Sequence, residues 1–315
     1  MNTLNQLPRV VVVTRKTPLE QLIERFGTSG QARFYVEDKG RKWGDYERIQ
    51  ARFDAAISTV MGAIAAEQQR VRLDRGDLDR FIFRDDDIIV IVGQDGLVPN
   101  VAKYLNSQTV IGINSDPEMF DGVLCRHAPS LTSRLLKWAS APDAHFTIQS
   151  RVMGQAVRED GQRLLALNEF YFGSRTHQSS KYTLRVGGKT ERQSSSGVIV
   201  STGTGATGWG RSIAQQRKCE EILPKPEDTK LAWFVREPFP SVYTGTTLDH
   251  GVLEKGQVLE ATSELGDNGV IFADGIESDT IEFIDSQTLK ISVAPEVLKL
   301  VVPAISVPHD KERQK

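Results

Sequence analysis

RDDDIIVIVGQDGLV, Arg84 to Val98, is the stretch whose reading decides the fold. The run Ile88 to Val92 is β-branched throughout, with acids on one side and Gly93 on the other. That is the pattern of a buried parallel strand. Beyond Gly96 the period changes: Leu97, Val98, Val101, Ala102 and Leu105 recur at helical spacing. Pro99 falls in the first turn, where a missing N–H costs little. The segment therefore predicts strand, Gly-x-Asp-Gly turn, helix. In an open α/β sheet such a turn lies at the carboxyl end of a strand, where ligands bind. A helix amino terminus there favours anions. Asp95 puts an acid in that place, suited to taking a proton from a hydroxyl or holding a metal rather than gripping phosphate. A plain βα turn with a capping Asp is the structural alternative.

Outward from this stretch, Val10 to Val13 is a second buried run, within a strand expected over Arg9 to Thr14. Leu19, Leu22, Ile23 and Phe26 space as a helix that Gly27 ends, and Gly27 to Gly30 reads as loop. Tyr46, Ile49, Phe53, Ala56, Ile57, Val60 and Ile64 trace one helical face over about five turns. The charged stretch from Glu67 to Arg80 reads as solvated surface. Val110 to Ile113 is another short strand, leading to Asn114-Ser115-Asp116-Pro117, a strand-end loop. Leu131, Leu135, Leu136 and Trp138 suggest a short helix. The βαβαβ alternation predicts an α/β domain with a parallel sheet.

After His145 short alternating segments are parted by Asp160-Gly161, Gly187-Gly188 and Asn268-Gly269, which are hairpin signals. Leu164 to Phe172 reads as one strand; Leu289 to Val293 and Val297 to Val302 read as two. Only Trp209 to Gln216 looks helical. The expected division is an α/β domain over 1–142, a β-rich domain over 143–308 and a charged tail over 309–315.

Composition narrows the class. A length of 315 residues suggests two domains, and a formal charge of −2 gives no general reason to bind nucleic acid or anionic membrane. Cys125 and Cys219 lie far apart, with neither metal spacing nor a disulfide framework. No protein-held metal is expected, and a reducing compartment suits. No apolar run approaches the roughly 18 residues of a spanning helix. The opening MNTLNQLPRVVVVT lacks signal- and transit-peptide patterns. A cytoplasmic protein without membrane or nucleic-acid partners is the expectation.

Two further clusters could carry chemistry. Asn168-Glu169 interrupts an apolar run and needs partners, either within the protein or in a ligand. Ser201-Thr202-Gly203-Thr204-Gly205-Ala206-Thr207-Gly208-Trp209 offers glycines for close approach, hydroxyls for hydrogen bonds and an indole that could stack on a flat ring. Its structural alternative is a Gly-rich hairpin loop with a core tryptophan.

Together these clusters resemble the NAD kinases, particularly the mitochondrial-type branch. Gly93 to Leu97 is similar to the family's Gly-Gly-Asp-Gly-Thr turn, and Gly112-Ile113-Asn114-Ser115-Asp116-Pro117 to its Gly-Val/Ile-Asn-x-Asp-Pro segment. Leu167-Asn168-Glu169 resembles its Asn-Glu pair, and Ser194 through Gly205 its Gly-rich loop. Val235-Arg236-Glu237-Pro238 and Asp274-Gly275 match two later landmarks, so the order holds from about residue 85 to 300. The resemblance implies an NAD kinase fold, with an α/β amino-terminal domain and a β-rich carboxy-terminal domain. It implies phosphate transfer from ATP, with Mg2+, to the adenosine 2′-hydroxyl of NAD, and a homodimer or larger homo-oligomer. Asp95 would be the base and contact that ribose. Gly96, Asn168, Glu169, Thr204, Thr207, Gly208 and Trp209 would bind NAD. Gly93, Gln94, Gly96 and Asn114 would form the phosphate turn, while Asp116 and Asp274 have open roles.

The sequence departs from the family at Gln94, Leu97, Ala206 and Gly208. Were φ positive at position 94, a non-glycine would cost about 1–2 kcal/mol. Leu97 removes a hydroxyl beside the helix amino terminus. These changes raise an alternative function, a non-catalytic or weakly catalytic NAD(P)-binding protein with a regulatory role. A lipid or sugar kinase of the related Gly-Gly-Asp-Gly superfamily is a third reading, opposed by Asn168-Glu169 and the Thr202 to Trp209 loop.

Overall fold

The computed structural model describes residues 7–141, 145–276 and 279–304. The boundary expected at residue 142 and the tail over 309–315 lie outside these residues. Val10–Thr14 (β1), Arg70–Asp74 (β2), Ile88–Gly93 (β3) and Thr109–Asn114 (β4) lie parallel in the order β2-β1-β3-β4. The helices are Pro18–Phe26 (α1), Ser29–Asp38 (α2), Trp43–Ala63 (α3), Leu97–Ala102 (α4) and Thr132–Ser140 (α5). Strand side chains alternate between faces. Val10, Val12, Ile88, Val90 and Val92 pack against Phe53, Ile57 and Val60 of α3 and Leu135 and Trp138 of α5. Val11, Val13, Ile89 and Ile91 pack against Leu97, Val98 and Val101 of α4. Both faces are covered, which is why these strands carry no polar alternation.

The β-rich region opens with Phe146–Arg158 (β5), Arg163–Ala166 (β6), Glu169–Ser174 (β7), Ser180–Val186 (β8) and Lys189–Ser195 (β9). Val198–Ser201 (β10) leads to the helix Trp209–Arg217 (α6), then Lys230–Val235 (β11) and His250–Glu254 (β12). Leu259–Ser263 (β13), Gly269–Ala273 (β14), Thr280–Glu282 (β15) and Thr288–Pro303 (β16) complete it. The last strand is the seam of the molecule. It pairs with β4 in parallel at Lys299 and Leu300, with β5 antiparallel along most of its length, and with β13 near its start. One sheet therefore runs β2-β1-β3-β4-β16-β13-β8-β9, with β5 and β6 joined to it through β16. The second sheet, β12-β11-β10-β7-β14-β15, is antiparallel throughout. The two sheets enclose a core containing Phe170, Phe172, Tyr182, Trp233 and Phe283, and α6 covers the outer face of the second through Ile213 and Ala214.

Four expectations are corrected. Ser29 starts α2 where loop was expected; Thr28 caps it, and only Ala32 and Val36 are buried, too faint a period to read. The charged stretch before Arg80 holds β2, an edge strand with only Leu73 buried, followed by a 3-10 turn over Arg75–Arg80. Leu164 to Phe172 is two strands: β6 belongs to the first sheet, β7 to the second, and the chain crosses between them at Leu167-Asn168. The two runs after Thr288 are one strand with a bulge between Val293 and Val297.

Candidate active site

Strand β3 ends at Gly93, and the chain turns into α4 with the Gln94 carbonyl accepting from Leu97 N–H (3.0 Å) and that of Asp95 from Val98 N–H (3.1 Å). The Asp95 carboxylate faces the loop after β4. Its Oδ2 accepts from Val123 N–H, and its Oδ1 from Leu124 and Cys125 N–H, each at 2.8 Å. A carboxylate oxygen has two lone pairs. Oδ1 is therefore filled, and Oδ2 keeps one place for a hydroxyl. The acid organises a loop and remains able to accept one proton or hydrogen bond from outside.

Asp274 holds the chain crossing in the same way. Its Oδ2 accepts from Leu167 N–H (3.1 Å), and its Oδ1 from the N–H groups of Asn168 (2.6 Å) and Glu169 (3.3 Å). Its backbone is left-handed, φ 57°, which Asp tolerates better than most residues. Burial raises the Asp274 pKa, opposed by the charge of Lys103 and by the three N–H donors. Glu169 beside it is pushed up to about 7, first by burial and then by the negative charge of Asp274. A carboxyl balanced there can donate or accept at neutral pH. The Asn168 side chain makes no hydrogen bond to the described residues, so its amide is free for a ligand.

The loop after β10 is pinned by Thr202. Its hydroxyl donates to the Leu167 carbonyl and accepts from the N–H groups of Thr204 (3.1 Å) and Gly205 (3.3 Å). The glycines were expected to admit a ligand, but two of them admit the protein's own backbone. A Cβ on Gly203 would meet the Lys225 carbonyl oxygen at 1.8 Å, and one on Gly205 would meet that of Asn168 at 2.2 Å. Trp209 lies nearly parallel to Tyr171, with centroids 6.3 Å apart, and the Arg236 guanidinium sits 5.2 Å from its ring centre.

These pieces surround one cavity of about 250 Å³. Asp95, Gly96, Asn168, Glu169, Thr204, Thr207, Gly208 and Trp209 all line it, joined by Val123, Leu124 and Gly205. Residues from four separated stretches thus converge. Asp274 lies behind the cavity as the clamp of Asn168-Glu169.

Gly93 and Gln94 face the opposite side of the turn. They line a crevice of about 50 Å³ with Arg15, Lys16, Leu97 and Asp116. Gln94 is not among the non-glycine residues at positive φ, so the expected strain is absent. Leu97 is 2% exposed; it packs into the core beneath the turn and also lines this crevice. Asn114 is committed to the loop after β4: its amide donates to the Phe120 carbonyl (2.9 Å) and accepts from Asp116 N–H (3.0 Å). Asp116 is paired with Arg52 of α3 at 2.8 Å.

Sequence reasoning missed several cations. Arg15 and Lys16 follow β1, and its pairing with β3 brings them beside Gln94. They also line a wider cleft of about 540 Å³ with Arg75 and Lys103. The available signal was two basic residues directly after a parallel strand. Arg151 on β5 is 3% exposed and donates to the Thr204 hydroxyl (3.2 Å), a long-range placement no local pattern shows. Among the described residues no group of three or more His, Cys, Asp or Glu could hold a metal, and no helix is long and apolar enough to cross a membrane.

No family model matches the chain. It is 27% identical over 281 residues to the mitochondrial NAD kinase 2 of Xenopus tropicalis, covering 68% of this chain and 66% of that protein. The corresponding rat protein is 29% identical over 203 residues, covering 50% of this chain and 48% of its own. A probable NADH kinase of Oryza sativa subsp. japonica is 26% identical over 259 residues, covering 74% and 76%. The chain thus spans a little under two thirds of the frog protein's length and about half of the rat protein's. Its fold matches the crystal structure of an NAD kinase from Archaeoglobus fulgidus in complex with ATP, with TM-score 0.56, 18% identity, and 93% and 92% of the two chains covered. In sequence the chain is thus similar to NAD and NADH kinases, and it shares the NAD kinase fold.

Proposed function

We propose that the protein is an NAD kinase, transferring phosphate from ATP to the adenosine 2′-hydroxyl of NAD to give NADP. The observation that carries this is the single open lone pair of Asp95 Oδ2, presented to a cavity that Asn168, Glu169 and Trp209 also line. In this reading the acceptor hydroxyl donates to Oδ2, which takes the proton late in the transfer. Phosphoryl transfer is mostly positioning and charge stabilisation, and Arg15 and Lys16 across the turn offer positive charge to a triphosphate. The Archaeoglobus protein, solved in complex with ATP, supports ATP as the donor.

Magnesium fits as an escort of that triphosphate. It commonly binds through one or two carboxylates together with substrate phosphates rather than in a protein cage. The chemistry such an ion would supply is neutralisation of phosphate charge. The alternative, an NAD(P)-binding protein with weak or no turnover, is favoured by Gln94, which replaces the family's glycine on the donor side of the turn. Cytoplasmic residence and a homo-oligomeric state complete the proposal; two buried free thiols suit the former, and light scattering tests the latter. The decisive experiment is NADP formation by purified protein with NAD, ATP and magnesium. Saturable NAD binding without NADP would select the alternative.

A further inference from the structure

Arg151 is anomalous. It sits in β5 at 3% exposure, and no described carboxylate forms an ion pair with it. Its guanidinium makes one hydrogen bond, from Nη1 to Thr204 Oγ1 at 3.2 Å, and its buried Nε has no partner. Burial pushes the group down to about 10, Arg126 pushes in the same direction, and Asp95 and Glu227 oppose them. Arg126 is exposed and folds onto the Val123 carbonyl at 2.8 Å. A buried guanidinium without an ion-pair partner is destabilising. A packing role would be filled better by an apolar side chain.

The Thr204 hydroxyl shows where this charge is directed. It accepts from Arg151, so its own proton must point elsewhere, and no described residue accepts it. Thr204 lines the same cavity as Asp95. A phosphate ester formed on a hydroxyl held by Asp95 would place negative charge beside that carboxylate, and repulsion would need an offset. The arrangement answers this need with a buried cation behind a hydroxyl that donates into the cavity.

We infer that Arg151 is a positioning residue for a phosphate monoester in the Asp95 cavity, acting through the Thr204 hydroxyl, which it fixes as a donor. This rests on the proposal that the cavity takes a dinucleotide. It concerns the phosphorylated form in particular, so Arg151 should discriminate NADP from NAD.

Calorimetric titration of the full chain with NAD and with NADP tests it. Arg151→Met keeps the length and removes the charge; Thr204→Val keeps the shape and removes the hydroxyl. Each should weaken NADP on the order of ten- to a hundredfold, the scale of a charge-assisted hydrogen bond, and lower the NADP-to-NAD affinity ratio, since any loss of NAD at Thr204, which also lines the dinucleotide cavity, should be the smaller. The double variant should be no worse than Arg151→Met alone, because both act on one contact. Arg151→Lys should recover part of the loss. Equal weakening of both ligands, or additive losses in the double variant, would overturn the inference. If Arg151→Met fails to fold, Thr204→Val alone decides by the same NADP-to-NAD ratio. Failure of the wild-type protein to bind either dinucleotide would instead sink the proposed function.

Discussion

Asp95 shows how much one side chain's environment limits what it can be asked to do. Three backbone donors hold it against the loop 123–125, so Asp95→Asn alters structure as well as chemistry. With its oxygen kept on Leu124 and Cys125, the new amide N–H group would face Val123 N–H, donor against donor. We predict that turnover falls by on the order of 10²–10⁴-fold and stability by about 1–3 kcal/mol. NAD affinity should fall too, because Val123 and Leu124 line the cavity. Full activity in that variant would remove Asp95 from the mechanism. Glu169 gives a second test at this scale. Its native pKa is raised from 4.5 to about 7, so the folded protein holds a proton that the unfolded chain has released. The associated stability is full below about pH 4.5 and is lost as pH rises through 7. Glu169→Gln removes this dependence and should be more stable than wild type at pH 8 by up to about 3 kcal/mol. The difference should shrink as the pH falls and vanish below about pH 4.5. Melting temperatures across that range measure it, and parallel profiles would show that the buried proton has no energetic weight.

At the scale of elements, the turn between β3 and α4 separates two substitutions that the sequence presents as one. Gln94 borders the crevice beside Arg15 and Lys16 without strain, whereas Leu97, which lines it too, is a core residue. Gln94→Gly should therefore fold normally and raise NADP formation if the amide obstructs the donor. A loss of existing activity would make Gln94 a working ligand instead. Leu97→Thr should lower stability by roughly 1.5–3 kcal/mol through lost burial. What could be read in advance follows the same physics. Val10 to Val13 and Ile88 to Val92 announce buried strands because no polar residue interrupts them. Strand β2 stays hidden because Arg70, Arg72 and Asp74 dress an edge where burial is slight. The site residues lining the cavity were legible as motifs. Asp274 was legible as a landmark but not as the clamp of Asn168 from 106 positions away, and Arg151, reaching Thr204 from 53, was not legible at all, because neither distance leaves a local period.

At the scale of the molecule, β16 decides whether the α/β and β-rich regions behave as two bodies. A division near residue 142 is natural from texture, since helices precede it and hairpins follow. Yet the carboxy-terminal strand returns to pair with β4, and its outer neighbours β5 and β13 come from the other region. Leu300 sits at the junction, opposite Val110 of β4 and Gln149 of β5, fully buried in the core shared with Ile89, Ile91, Leu97 and Met153. Separating the regions would expose that core and leave a parallel edge unpaired, which is far costlier than parting two domains across a wet interface. We therefore predict a single cooperative unfolding transition, with calorimetric and van't Hoff enthalpies equal, although multidomain chains commonly break that equality. Leu300→Ala should lower stability by about 2–5 kcal/mol, the usual range for a large-to-small change in a packed core. Amide exchange should then quicken together in β1 and β3 on one side and in β7 and β10 on the other. Two resolved transitions, or faster exchange confined to one region, would show that the site lies between independent bodies and that β16 is a tether rather than a shared wall.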